Sequence, residues 1–197
     1  MTDAESDRPS TAVEGAHMDA QVKERAGQSN APEGTGRSHT LIVLSKDNPG
    51  ALDRIVGVLR RRRAATKTFT VGRSELPGVL RITVVIDDSE VEVDHLIEQL
   101  RKVVDVQHIV NLSSDRTLAR ELALIKVNIG TSDYSEIIEL GHLYGAHVVD
   151  ITNDTVTLEV TGSEEKVEAL VRDLQKYGIR EIARTGRVAM TRGTPEM

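Results

Sequence analysis

The chain has 197 residues, room for one or two small domains at the usual ~150 residues each. Hydrophobic residues make up 39% but aromatics only 2%, so the core must be aliphatic, and 31 acidic against 25 basic residues leave a net charge of −6. That balance, with few rings for base stacking, argues against a dedicated nucleic-acid binder, and the lack of cysteine excludes disulfides, thiol catalysis and cysteine zinc sites.

No apolar run approaches the ~20 residues of a membrane span. The N-terminus also lacks the basic start and apolar middle of a signal peptide. The expectation is a cytoplasmic protein. Residues 1–38 carry Gly, Ser, Pro and charges with isolated Val13, Met18 and Val22. Such a stretch buries too little surface to offset its ordering entropy and reads as a disordered tail.

From His39 the pattern changes. Leu41-Ile-Val-Leu44 is a wholly apolar strand signal followed by Asp47-Asn-Pro-Gly50. Leu52, Ile55, Val56 and Leu59 then fall on one face of a helix. Thr66–Val71 reads as a strand, Glu75-Leu-Pro-Gly78 as a hairpin turn, and Arg81–Ile86 as an alternating strand. Ser89 with Glu92 makes a capping box ahead of a helix through Val93, Leu96, Ile97 and Leu100. Val103–Leu112 closes the unit as a strand.

The same order then repeats. Leu122–Val127 is a strand, Asp133 with Glu136 caps a helix, and Gly145 stops it. His147–Ile151 and Thr155–Val160 are strands, and Ser163 opens a helix through Val167, Leu170, Val171 and Leu174. After Gly178, Ile179–Met190 reads as one long final strand. The expected fold class is therefore α+β, with two tandem ferredoxin-like βαββαβ domains at 39–113 and 120–193. Units of this size have marginal cores, and an unsheltered sheet face with free edges invites pairing with a second copy.

The most informative local feature is Asp47-Asn48-Pro49-Gly50-Ala51-Leu52, between a strand and an amphipathic helix. Asn48 or Asp47 is placed to cap the helix, and Pro49 suits its first position. Gly50 lets a ligand approach the backbone, and the free N–H groups of Gly50, Ala51 and Leu52 form an anion site at the positive end of the helix dipole. A carboxylate fits there and Asp47 could take an adjacent ammonium, the two charges of a free α-amino acid. The same residues also read as a plain, well-capped strand-to-helix turn.

Segments HTLIVLSKDNPGALDRIVGVLRRR, TVGRSELPGVLRITVVI, HLIEQLRKVVDVQHIVNL, RELALIKVN and GIREIARTGRVAMTRG cover nearly all of residues 39–193. In that succession the chain resembles the regulatory (small) subunit of acetolactate synthase, with an N-terminal ACT domain. The resemblance implies a non-catalytic chain that activates a thiamine-diphosphate-dependent catalytic (large) subunit in branched-chain amino acid biosynthesis. It implies valine-type feedback inhibition, with isoleucine and valine as the pathway's products. Thiamine diphosphate, Mg and FAD would sit on the catalytic partner, with no cofactor, metal, nucleic acid or membrane on this chain. It further implies a homodimer through the ACT domains, with effector sites where they meet. Asp47, Asn48, Pro49, Gly50, Ala51 and Leu52 match the effector-binding turn.

The sequence departs from the family pattern in places. The family often has Asn where Asp47 stands. After the first helix it usually reads Arg-Gly-(Phe/Tyr)-Asn-Ile-(Glu/Asp)-Ser, where this chain has Arg62-Arg-Ala-Ala-Thr-Lys-Thr68. Arg63 replaces the helix-ending Gly, and Ala65 replaces the Asn that reaches the effector across the dimer. Weakened or altered effector binding is expected.

Other features carry less. Arg60–Arg63 reads either as a solvated helix end or as a contact with an acidic partner surface. The six histidines show no metal-ligand spacing, and no nucleophile, base or phosphate loop can be assembled. Arg73, Glu75 and Arg81 could form a small charged network. The rival reading is a stand-alone amino-acid-sensing ACT-domain regulator of another enzyme or of transcription. It is weakened by the lack of a recognition helix.

Overall fold

The protein's computed structural model describes residues 37–89, 91–112, 117–130 and 134–193. The expected tail and the proposed Asp133 cap lie outside these, apart from Arg37 and Ser38. The first unit runs β1 (Ser38–Lys46), α1 (Ala51–Arg61), β2 (Ala65–Arg73), β3 (Val79–Asp87), α2 (Val93–Arg101) and β4 (Val106–Asn111). Its antiparallel sheet has the order β2-β3-β1-β4. The second unit runs β5 (Thr117–Asn128), α3 (Tyr134–Leu143), β6 (His147–Ile151), β7 (Thr155–Gly162), α4 (Glu164–Leu174), a 3-10 turn (Gln175–Tyr177), β8 (Ile179–Arg184) and β9 (Val188–Thr191). Its order β6-β7-β5-β8 repeats the first, and β9 pairs separately with β5. Two α+β ferredoxin-like units are present, as the sequence pattern requires.

Each unit buries helices on one sheet face. In the first, Leu41 and Val43 of β1 and Ile82, Val84 and Ile86 of β3 pack against Ile55 and Leu59 of α1 and Leu96 and Leu100 of α2. In the second, Ile125, Val127, Val156, Leu158 and Val160 pack against Ile137, Val167, Leu170 and Leu174. With one Phe and no Trp, these aliphatic side chains carry the core, each Leu or Ile contributing about 1.5–3 kcal/mol when fully buried.

The wholly apolar run of β1 has a reason beyond the helices. Ile42 and Leu44 point to the opposite face, where they join Val110, Leu112, Ala119 and Ala189 in a third cluster. A strand covered on both faces loses its polar alternation. The expectation of an unsheltered sheet face is thus corrected for the first unit, whose helix-free side is partly roofed by β5 and β9. Arg81 Nη2 donates to the Ala189 carbonyl at 2.8 Å, Thr70 Oγ1 to that of Thr185 at 3.2 Å, and Arg187 Nη1 to Thr40 Oγ1 at 3.1 Å. Arg81 therefore serves this contact rather than a network with Glu75.

The long final strand is also corrected. Gly186, at φ 77°, breaks it into β8, on Ala123–Val127, and β9, on Thr117–Arg120. A Cβ there would lie 3.1 Å from both Thr68 Cβ and Thr70 Oγ1, so the turn needs glycine for its dihedral and for its close approach. The last strand of the first unit is shorter than expected, beginning at Val106 because Val103–Asp105 form a turn. The Ser89 capping box does not form either. Glu92 is the N-cap of α2 without a side-chain bond, and the Ser89 amide donates to Asp87 Oδ1 at 2.9 Å.

Ser163 does open α4, accepting from the Lys166 amide at 3.4 Å. The same hydroxyl, beside Glu165, holds its carboxyl below the ordinary range. Gly145, at φ 61°, follows α3, with amides 145 and 146 returning to carbonyls 142 and 141 in a Schellman closure.

Candidate functional site

The turn that joins β1 to α1 is built from both ends. The Asp47 amide donates to the Gly78 carbonyl at 2.8 Å, the Asn48 amide to Lys46 at 3.0 Å and the Ala51 amide to Asn48 at 3.1 Å. Gly50 has φ 79° and ψ 0°, the values of the third position of a type II turn, with Pro49 at the second, where its fixed φ belongs. Two expectations are corrected here. Pro49 is a turn residue rather than the first helical one, and the N-cap is Gly50 with no side-chain bond.

The reason lies in Asn48. It lies two residues before the cap, and its side chain is turned to Asp105, donating through Nδ2 to Oδ1 at 3.2 Å. Asp105 also receives Arg54 Nε at 2.7 Å and Nη2 at 2.6 Å. The Arg54 guanidinium holds the Asp105 carboxyl below the ordinary aspartate value of 3.8, with Asn48 adding to the effect against the opposing pull of burial.

The expected trio of free amides is likewise revised. Ala51 spends its N–H on the turn, whereas those of Gly50, Leu52 and Asp53 make no hydrogen bond within the described residues. Their residues line an open notch together with Asp47, Asn48, Pro49 and Leu80. Amide dipoles at a helix start attract a carboxylate, while Asp47 and Asp53 repel a simple anion and attract a cation. Leu52 and Leu80 add an apolar wall. The combination suits a small zwitterion with an aliphatic side chain.

Ala65 is not part of this notch in one protomer. It is exposed at the start of β2, opposite Asp87, whereas Leu80 lies at the other end of β3. Seven strand steps separate Leu80 from Asp87, roughly 24 Å at ~3.4 Å per step. Arg63, the other departure, is the one non-glycine residue with positive φ (53°) among the described residues. Arg60–Arg63 are all exposed and form no ion pair among the described residues.

Asp105, Arg54, Asp53 and Leu80 went unnoticed in the sequence. Asp105 lies 51 and 57 residues from its partners, so no local spacing announces it. Among the described residues no three metal-ligating side chains converge, and no helix is long and apolar enough to cross a membrane.

Residues 41–108 match the family model for the AHAS small subunit-like ACT domain, and residues 120–193 match that for the small subunit of acetolactate synthase. The acetolactate synthase small subunit of Mycolicibacterium smegmatis is 40% identical over 156 residues, covering 79% of this chain and 92% of that one. The chloroplastic acetolactate synthase small subunit 2 of Arabidopsis thaliana is 42% identical over 156 residues, but this chain spans only 33% of its length. The crystal structure of the Thermotoga maritima acetolactate synthase small subunit superposes with a TM-score of 0.73 at 31% identity, covering 81% of this chain and 99% of that one. With both matched regions in the expected order and on the expected fold, the chain belongs to the acetolactate synthase small-subunit family, regulatory partners of a catalytic subunit.

Proposed function

We propose that this chain binds and activates a catalytic subunit of acetolactate synthase and places it under feedback control by a branched aliphatic amino acid of the valine type. The observation that carries the reading is the notch at Gly50. Residues with unpaired amides line it together with two carboxylates and two leucines, in a chain of this family. The effector's carboxylate sits on the Gly50, Leu52 and Asp53 amides, its ammonium meets Asp47 or Asp53, and its side chain lies against Leu52 and Leu80.

Two copies pair through their first units, so that position 65 of one protomer faces the notch of the other. Ala65 offers that effector no side-chain hydrogen bond. The thiamine diphosphate, Mg and FAD of the reaction belong to the catalytic partner, and this chain contributes no reacting group. Activation works by population shift: the chain binds the active arrangement of its partner more tightly, and the effector biases the complex back by its own differential affinity.

The test is to mix the purified chain with the catalytic subunit of its own organism and measure acetolactate formation and co-elution. A saturable rise in rate that valine reverses supports the proposal. Absence of both activation and co-elution defeats it.

A further inference from the structure

We infer that Asp105 is the positioning residue of the Asp47–Asp53 turn, an inference that rests on reading that turn as the effector site. Asp105 stands in the turn between α2 and β4, and one residue there holds three successive pieces of the site. Its backbone carbonyl accepts from the Lys46 amide at 2.9 Å, fixing the end of β1. Its carboxylate accepts from Asn48 in the turn and from Arg54, one turn into α1. The strand end, the turn and the helix start therefore share a single anchor.

The burial of that anchor makes the arrangement more than a surface ion pair. The Asp105 side chain is 6% exposed, against 47% for Arg54. A buried carboxylate is tolerated only when its oxygens are satisfied, and here both oxygens are: Oδ1 by Asn48, and Oδ2 by the paired nitrogens of Arg54. Two consequences for the notch follow. The pinned guanidinium lies over Gly50, so that a Cβ at that position would stand 3.2 Å from Arg54 Nη1. Any residue but glycine is therefore opposed by the dihedral and by the clamp. The clamp also engages the one basic side chain of the first helical turns and spends an Nδ2 hydrogen of Asn48 on Asp105. Backbone N–H groups are left as the donors for a bound carboxylate, and ligand selection falls on a rigid backbone rather than on mobile side chains.

The test is amide hydrogen exchange on the full chain, comparing wild type with Asp105→Asn, with Arg54→Gln and with the double variant. The probes are the turn amides that are hydrogen-bonded, those of Asp47, Asn48, Ala51 and Arg54. Each single variant is expected to speed their exchange at least tenfold without altering β3 or β7. The double variant should do little more than either single one, because both break the same clamp. Unchanged exchange at those four amides, or a rise spread evenly over the first unit, would overturn the inference, as would simple additivity.

A parallel titration of the activated complex separates the two readings. A tenfold or larger rise in the half-saturating valine concentration in Asp105→Asn supports the positioning role. A wild-type complex indifferent to valine, leucine and isoleucine would remove the effector reading, while the exchange result still decides whether Asp105 sets the turn.

Discussion

The backbone amide of Ala64 donates to the carbonyl of Leu59 at 3.0 Å, closing α1 over Arg63, whose own amide returns to Arg60 at 3.1 Å. The two bonds form a Schellman closure with Arg63 in the left-handed position. A side chain there costs ~1–2 kcal/mol, partly offset by the lower unfolded-state entropy of a non-glycine residue. Arg63→Gly is expected to stabilise the chain by about 1 kcal/mol, seen as a melting temperature ~2–4 °C higher by circular dichroism. A lower melting temperature would count against this account of the helix end.

Gly186 carries the contact between the units. Gly186→Val forces a β-branched residue into φ 77° and drives its Cβ onto Thr68 and Thr70. A loss of about 2–3 kcal/mol in urea unfolding is expected. Arg187→Ala removes the bonds to Thr40 and Glu164 without backbone strain and should cost less, about 1 kcal/mol. The reverse order would mean that the roof over β1 is held by charge rather than by shape.

Acid should weaken the fold most through its two buried, lowered aspartates, Asp87 and Asp105. Asp87 is held below its ordinary value of 3.8 by the Ser89 amide and hydroxyl and by Lys67, and Asp105 by Arg54. Both bind protons less readily folded than unfolded, so their stabilisation is complete above the ordinary value and is lost as pH falls below it towards the folded-state values. Urea midpoints should be flat from pH 7 to about 5 and drop below pH 4. Asp105→Asn should be less stable at pH 7 and show a shallower acid limb. An equally steep limb in the variant would remove Asp105 from the explanation.

Position 65 should tune the effector response. Under the proposed pairing, Ala65→Asn supplies the side-chain hydrogen bond that Ala65 lacks. A hydrogen bond to a charged group contributes ~1.5–3 kcal/mol, so valine binding by calorimetry should tighten roughly 10- to 150-fold. Low-micromolar binding already in the wild type, unchanged by the substitution, would show that this position makes no such contact.

Much of the architecture was legible because apolar side chains repeat at the periods that helices and strands impose. Ile55 and Leu59, or Val156, Leu158 and Val160, announce which face is inward. What escaped depends on contacts distant in sequence. The break at Gly186 is dictated by Thr68 and Thr70 more than a hundred residues earlier. Asn48 is turned instead to Asp105, in a segment that reads locally as strand. The turn itself was visible as Asp47–Leu52, whereas its anchor, Leu80 of its apolar wall and its actual set of free amides required the folded chain.

The most direct measurement of the central claim is a valine titration of the 15N-labelled full chain followed by amide chemical shifts. The account predicts saturable shifts centred on Gly50, Leu52 and Asp53, the amides left without partners at the start of α1. Valine-dependent shifts confined to other parts of the chain, with these three unmoved at saturation, would contradict it.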